Sequence, residues 1–289
     1  MNLRVLSTMQ PPLRFCRLSV ALVLCLGLTG ISTTYANADD LAYYLPPGEV
    51  LWLGASADEV AEAAQNEQPA PLRMLVLARE NEQYYDRGSM LLITELGTHP
   101  MQSLTMQKWY QGMPHYGWDT YAVQPPTSQV IEFAWQEDGD QRYPQGSDVS
   151  TLRDAMRERL SLALDHAALQ PGPIVIVAEG VSAALITDIL AQGTFPQVDA
   201  FVALGAYYPQ WQLNQALATT TAQLHIPTLD FIPQHSHSWV ADNRARRNQQ
   251  ARRHQHTSYR QRELLTTRAA GEPRYLLHQL YGWLRSEDF

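Results

Sequence analysis

The chain has 289 residues, 45% of them hydrophobic, and a formal net charge of −8. That length suits one large α/β domain or two small ones, and the composition excludes a wholly disordered, collagen-like or coiled-coil chain. The acidic balance argues against a general nucleic-acid binder, which needs a basic face for the phosphates.

Residues 1–38 read as a secretory signal peptide. Arg4, Arg14 and Arg17 form a positive leader, and no acid precedes Asp39. Leu18–Ile31 is an apolar run of 14 residues, shorter than the roughly 20 that a membrane span needs. Ala36-Asn37-Ala38 supplies the small-residue cleavage pattern. Lipidation is disfavoured, because Cys25 lies inside the apolar run with no small residue just before it. Cleavage after Ala38 leaves 18 of the 21 basic residues against all 29 acids, a charge of −11, with no membrane span. Cys16 and Cys25 both leave with the leader. The exported chain then has no thiol, disulfide or cysteine metal site, and its core alone must hold it. The expected address is the periplasm.

Along residues 39–289, short apolar runs alternate with helical stretches. Glu49–Leu53, Leu72–Ala78, Met90–Thr94 and Thr120–Val123 read as four strands. Residues 124–147 form the longest irregular stretch, of the kind that is more often functional than average. A helix over 148–168 follows, with capping-box spacing at Thr151 and Asp154 and an apolar face of Leu152, Met156, Leu160 and Ala163. Ile174–Ala178 has no polar residue and suits a central parallel strand covered on both faces. Then come a helix from about Ser182 to Ala191, a strand Ala200–Leu204, a helix Trp211–Leu224 and a strand Pro227–Ile232. A polar helix over 238–256, a strand Tyr259–Thr266 and a helix Tyr275–Leu284 close the chain. Repeated strand–helix units imply an α/β fold with a mostly parallel central sheet and helices on both faces, in a single domain over 39–289.

This succession resembles the α/β-hydrolase fold over nearly the whole exported chain. It is similar to an uncharacterised family of exported Gram-negative bacterial proteins of α/β-hydrolase-like type, a domain of unknown function. The matching pieces are, in order, YYLPPGEVLWL, MLLITELGTHP, GWDTYAVQPP, IVIVAEGVSAALI, VDAFVALGAYYP, HIPTLDFIP, SYRQREL and YGWLR. The resemblance implies a fold and an address, and it brings no agreed activity.

In that fold a nucleophilic serine sits at a tight strand-to-helix turn, in Gly-x-Ser-x-Gly. Gly180-Val181-Ser182-Ala183-Ala184 is a near match that makes Ser182 the nucleophile, at the cost of Glu179 ending the strand and Leu185 falling where a small residue is expected. A second register, Ala178-Glu179-Gly180-Val181-Ser182, puts Gly180 in the nucleophile position and Ala183 and Ala184 where the helix must approach the sheet. It fits the apolar strand better and leaves the elbow without an attacking side chain.

The other triad positions point the same way. The loop Pro233-Gln234-His235-Ser236-His237-Ser238, where the acid is expected, has no carboxylate, and Asp242 lies well inside the next helix. After the last strand, the one later histidine is His278, within the final helix and read as a surface or packing residue. The catalytic candidates are Ser182 with His235, His237 or His99, in that order, as a displaced base. The candidate ligand crevice comprises His99, Glu179, Gly180 and Ser182, because strand carboxyl ends are where open α/β sheets bind ligands. His235-Ser-His237 and His254-Gln-His256 carry four imidazoles, but a helix of some 17 residues (roughly 25 Å) separates the pairs, so no metal site is expected. No cofactor is expected either. Arg244, Arg246, Arg247, Arg252 and Arg253 form the one dense basic stretch, read first as a solvated helix with an Asp242–Arg246 pair and second as an anion or lipid-headgroup surface.

Two functions follow as expectations. The first is a periplasmic pseudoenzyme that lacks the triad and acts as a binding or scaffold protein, its partner a small envelope molecule or an envelope protein. The alternative is a serine esterase, acyl or peptide hydrolase with Ser182 as nucleophile.

Overall fold

A computed structural model describes residues 42–43, 45–46, 48–126, 149–265 and 273–289. The expected leader of residues 1–38, most of the irregular stretch 124–147, and Thr266 lie outside these residues. Eight strands form one sheet: β1 (Val50–Gly54), β2 (Arg73–Arg79), β3 (Gly88–Ile93), β4 (Trp118–Val123), β5 (Ile174–Glu179), β6 (Val198–Leu204), β7 (Thr228–Pro233) and β8 (Tyr259–Leu264). Their spatial order is β1-β2-β4-β3-β5-β6-β7-β8. β2 runs antiparallel to both β1 and β4, and every later neighbour is parallel. This is the order and polarity of an α/β-hydrolase sheet.

The central strands are apolar on both faces because both faces are covered. Along β5, Ile174, Ile176 and Ala178 enter one core while Val175 and Val177 enter the other, as a two-residue side-chain period requires. Helices α3 (Ser150–Ala167), α4 (Gly180–Ala191) and α5 (Trp211–Ala222) supply the first core. Helices α2 (Leu104–Gly112) and α7 (Pro273–Ser286) supply the second. There Trp109 stacks on Phe231 at 5.8 Å, and its indole N–H donates to the Leu276 carbonyl at 3.0 Å. Each large apolar side chain buried in this way contributes about 1.5–3 kcal/mol.

Two helices arise where the sequence reading placed none. Helix α1 (Ala57–Gln65) starts at a capping box in which Ser56 accepts from the Glu59 amide at 3.2 Å and Glu59 accepts from the Ser56 amide at 2.7 Å. Helix α2 starts at Ser103, whose hydroxyl accepts from the Met106 amide. The box expected at Thr151 and Asp154 is not made. Helix α3 begins one residue earlier, at Ser150, and its cap residue Val149 offers no side-chain acceptor.

Helix α6 (Ser238–Arg253) corrects a second expectation. It is polar but not merely solvated, for Arg247 is only 1% exposed. Its guanidinium lies 3.3 Å from the buried carboxylate of Asp230 in β7 and donates to the Ala206 carbonyl at 2.9 Å. Tyr259 and Gln261 of β8 donate to the same Asp230 oxygen at 2.6 and 3.0 Å. Burying two charges costs several kcal/mol each, and this pairing with its added hydrogen bonds offsets that cost. The helix therefore packs one arginine inward and the others outward.

Candidate functional site

The site is built on the junction of β5 and α4. Glu179 ends the strand in extended backbone, at φ −115° and ψ 142°. Gly180 then turns the chain at φ +58°, and the helix begins at once. Only glycine takes that conformation without strain. Val181, Ser182, Ala183 and Ala184 are all buried behind it, so small side chains let the helix close onto the sheet.

Facing this turn is Glu95, in the loop after β3. One carboxylate oxygen, Oε1, accepts from the Leu96 amide at 3.0 Å and from the Val181 amide at 2.9 Å. In a nucleophile elbow, the amide after the nucleophile and one from the loop after the third strand make the oxyanion hole. Val181 and Leu96 supply these two amides, and both are engaged by Glu95. The second oxygen, Oε2, fills the space in front of Gly180. A Cβ built on that glycine would lie 1.5 Å from Oε2, 2.4 Å from Cδ and 2.8 Å from Oε1. Those are distances within a molecule, so a side chain at 180 requires this carboxylate to move from its place.

The local electrostatics oppose charge. Burial pushes the Glu95 carboxyl up to about 7, against the pull of the Val181 and Leu96 amides and with a further push from the carboxylate of Glu179. Burial raises Glu179 as well, against a hydrogen bond from Ser103. Burial, with the two glutamates beside it, lifts the Tyr207 phenol to about 12. Its ring stacks parallel on His237, centroids 5.2 Å apart.

Between these groups opens a cavity of about 310 Å³, whose lining includes Glu95, Glu179, Gly180, Tyr207, His235 and His237. It lies at the carboxyl ends of the parallel strands, the usual ligand crevice of such sheets. The structure thus gathers Glu179, Gly180, His235 and His237 at one cavity. Ser182 is not in its lining. It is fully buried in the first turn of α4, and its hydroxyl meets no partner, not even the backbone amide available to a residue there. His99 is absent from the lining too. Its Nδ1 accepts from the Met101 amide at 3.1 Å, its Nε2 is buried without a partner, and burial lowers its pKa. His237 caps α6, with Nδ1 accepting from the Trp239 amide at 3.3 Å. His278 is exposed on α7. Among the described residues, no group of three or more histidine, cysteine, aspartate or glutamate side chains is placed to hold a metal.

Sequence reasoning missed Glu95 and Tyr207. A signal existed for the first: Glu95 directly follows the apolar run Met90–Thr94, in the same loop as the His99 that was singled out.

Solved structures of similar shape include esterases and other hydrolases. An esterase of Pyrococcus furiosus in one crystal form matches with a TM-score of 0.54 at 8% identity, covering 84% of this chain and 93% of the esterase. A second crystal form of it gives 0.54 at 9%, covering 84% and 94%. A probable hydrolytic enzyme of Pseudomonas aeruginosa gives 0.49 at 12%, covering 81% and 94%. At such identities the likeness to the Pyrococcus furiosus esterase establishes the α/β-hydrolase fold alone. No curated protein matches the chain in sequence. Residues 55–286 match a family model described as "Protein of unknown function (DUF3530)", and the chain belongs to that family.

Proposed function

We propose that this chain is an exported, periplasmic ligand-binding protein of the bacterial envelope, built on an α/β-hydrolase fold whose nucleophile elbow is degenerate. The observation that carries the reading is the Glu95 carboxylate, held on the Leu96 and Val181 amides in front of Gly180. Serine hydrolysis needs a nucleophile in reach of a base and a free pair of amides to receive the developing oxyanion. Here the turn residue has no side chain and the amides are taken. Ser182 is sealed in the core with no histidine bonded to its hydroxyl. The cavity remains, of mixed polar and apolar lining with Tyr207, His235 and His237 among it, and is of a size to take a small molecule. The leader of residues 1–38 supports export, and no helix among the described residues is long and apolar enough to cross a membrane.

A fluorophosphonate probe tests the reading. The purified protein is expected to carry no adduct by intact mass. A stoichiometric adduct that disappears in Ser182→Ala would restore the serine hydrolase alternative.

A further inference from the structure

A second site lies at the other end of the sheet. Two adjoining cavities, of about 420 and 500 Å³, share Gln255, His256 and Thr257. They open where α6 ends and where β7 and β8 begin, whereas the elbow crevice opens at the carboxyl ends of the strands. Arg252 and Arg260 line the first, and His225 and His254 line the second. No aspartate or glutamate lines either one. In a chain of net charge −8 this is a local island of positive charge.

The charge is not balanced from within. Arg260 is held by two neutral acceptors, the carbonyls of Thr257 at 2.7 Å and Tyr259 at 3.1 Å, so the guanidinium is positioned but not neutralised. Asp230, behind Tyr259 and Gln261, is fully buried and already engaged by Arg247, Tyr259 and Gln261. Nε2 of His256 is buried with no hydrogen-bond partner. Burial, then the charges of His225 and Arg260, push its pKa down.

We propose that this double cavity binds a phosphoryl group, carried either by a free phosphate or by a lipid headgroup. A phosphoryl group offers three strong acceptor oxygens and close to two negative charges. The guanidinium groups of Arg252 and Arg260 and the imidazoles of His225 and His254, which line the two adjoining cavities, are donors that match it. The combined space exceeds a bare ion, leaving room for the group that bears it. The polar helix thus gains a use for the basic end that the interior pair does not consume.

The test titrates the purified protein with inorganic phosphate and pyrophosphate by calorimetry, and sediments it with vesicles of phosphatidylglycerol in phosphatidylcholine and of phosphatidylcholine alone. Saturable binding of a free anion assigns the soluble source. Sedimentation only with phosphatidylglycerol assigns the headgroup. In either case Arg252→Gln should weaken binding about tenfold, the loss of one charge-assisted hydrogen bond. Arg246→Gln, on the same helix but outside both cavities, should leave it unchanged. Arg260→Gln adds to the effect if the chain stays folded, and because Arg260 also ties two carbonyls, Arg252→Gln with His254→Gln provides the same test on exposed positions. Absence of saturable binding to every probe overturns the site. So does equal affinity in the Arg252→Gln/His254→Gln chain, or an equal loss in Arg246→Gln.

Discussion

The carboxylate of Glu95 stands where a side chain on Gly180 would stand. The 1.5 Å from Oε2 to a Cβ at that glycine is shorter than any non-bonded approach. With Oε1 on the Leu96 and Val181 amides, the group takes the place of both a nucleophile and the oxygen it would generate. In the reading proposed above, this is a nucleophile elbow filled from a neighbouring strand end.

Gly180→Ser should therefore be costly. It puts an L-residue at φ +58° and drives its Cβ into the carboxylate, and we expect a loss of about 2–4 kcal/mol in urea melts. Glu95→Ala in the same chain removes the clash. The two changes should then be non-additive by at least about 1 kcal/mol in the favourable direction. Strict additivity would show that Glu95 is not what keeps a side chain out.

Stability should fall as pH rises through neutrality, through Glu95. Its carboxyl sits at about 7 in the fold against 4.5 for the free group. Between those values the folded chain holds the proton that the unfolded chain has lost. The contribution is full below about pH 4.5 and is lost as pH rises through about 7, a span of about 3 kcal/mol at most. Glu179 acts in the same direction, so the measurement is the difference between wild type and Glu95→Gln. Urea melts from pH 4.5 to 8 should show the steeper decline in wild type, and parallel curves would refute the assignment.

Arg246 and Arg247, adjacent in sequence, should behave as opposites. Arg247→Ala leaves Asp230 buried without its counter-charge and should cost about 3–5 kcal/mol. Arg246→Glu, on the exposed face, should change stability by less than about 0.5 kcal/mol. Denaturation midpoints of the two variants check this, and equal effects would contradict it.

The fold was legible because its central strands are covered on both faces. Ile174–Ala178 reads as a buried parallel strand from its lack of polar residues alone. Helices α1 and α2 were passed over although Ser56 with Glu59, and Ser103, mark their starts. Both lie in short stretches between strands, which carry no long apolar period. Arg247 was misjudged because a charge run usually means solvent. The counter-signal was Asp230, an isolated acid inside the apolar run Pro227–Ile232, which needs a buried partner. The crevice was half legible. Glu179, Gly180, His235 and His237 follow from strand ends and the elbow, which sequence locates. Glu95 acts across 85 residues, from Glu95 to Gly180, through a contact that only the packing of β3 beside β5 creates.

The most direct test is a pH titration by NMR that follows the Glu95 side-chain carboxyl carbon together with the backbone amides of Leu96 and Val181. The account predicts that the carboxyl titrates with a midpoint near 7 and that both amide protons shift at that same midpoint, because both donate to its Oε1. A midpoint near 4.5, or amides that do not respond as the carboxyl titrates, would contradict it.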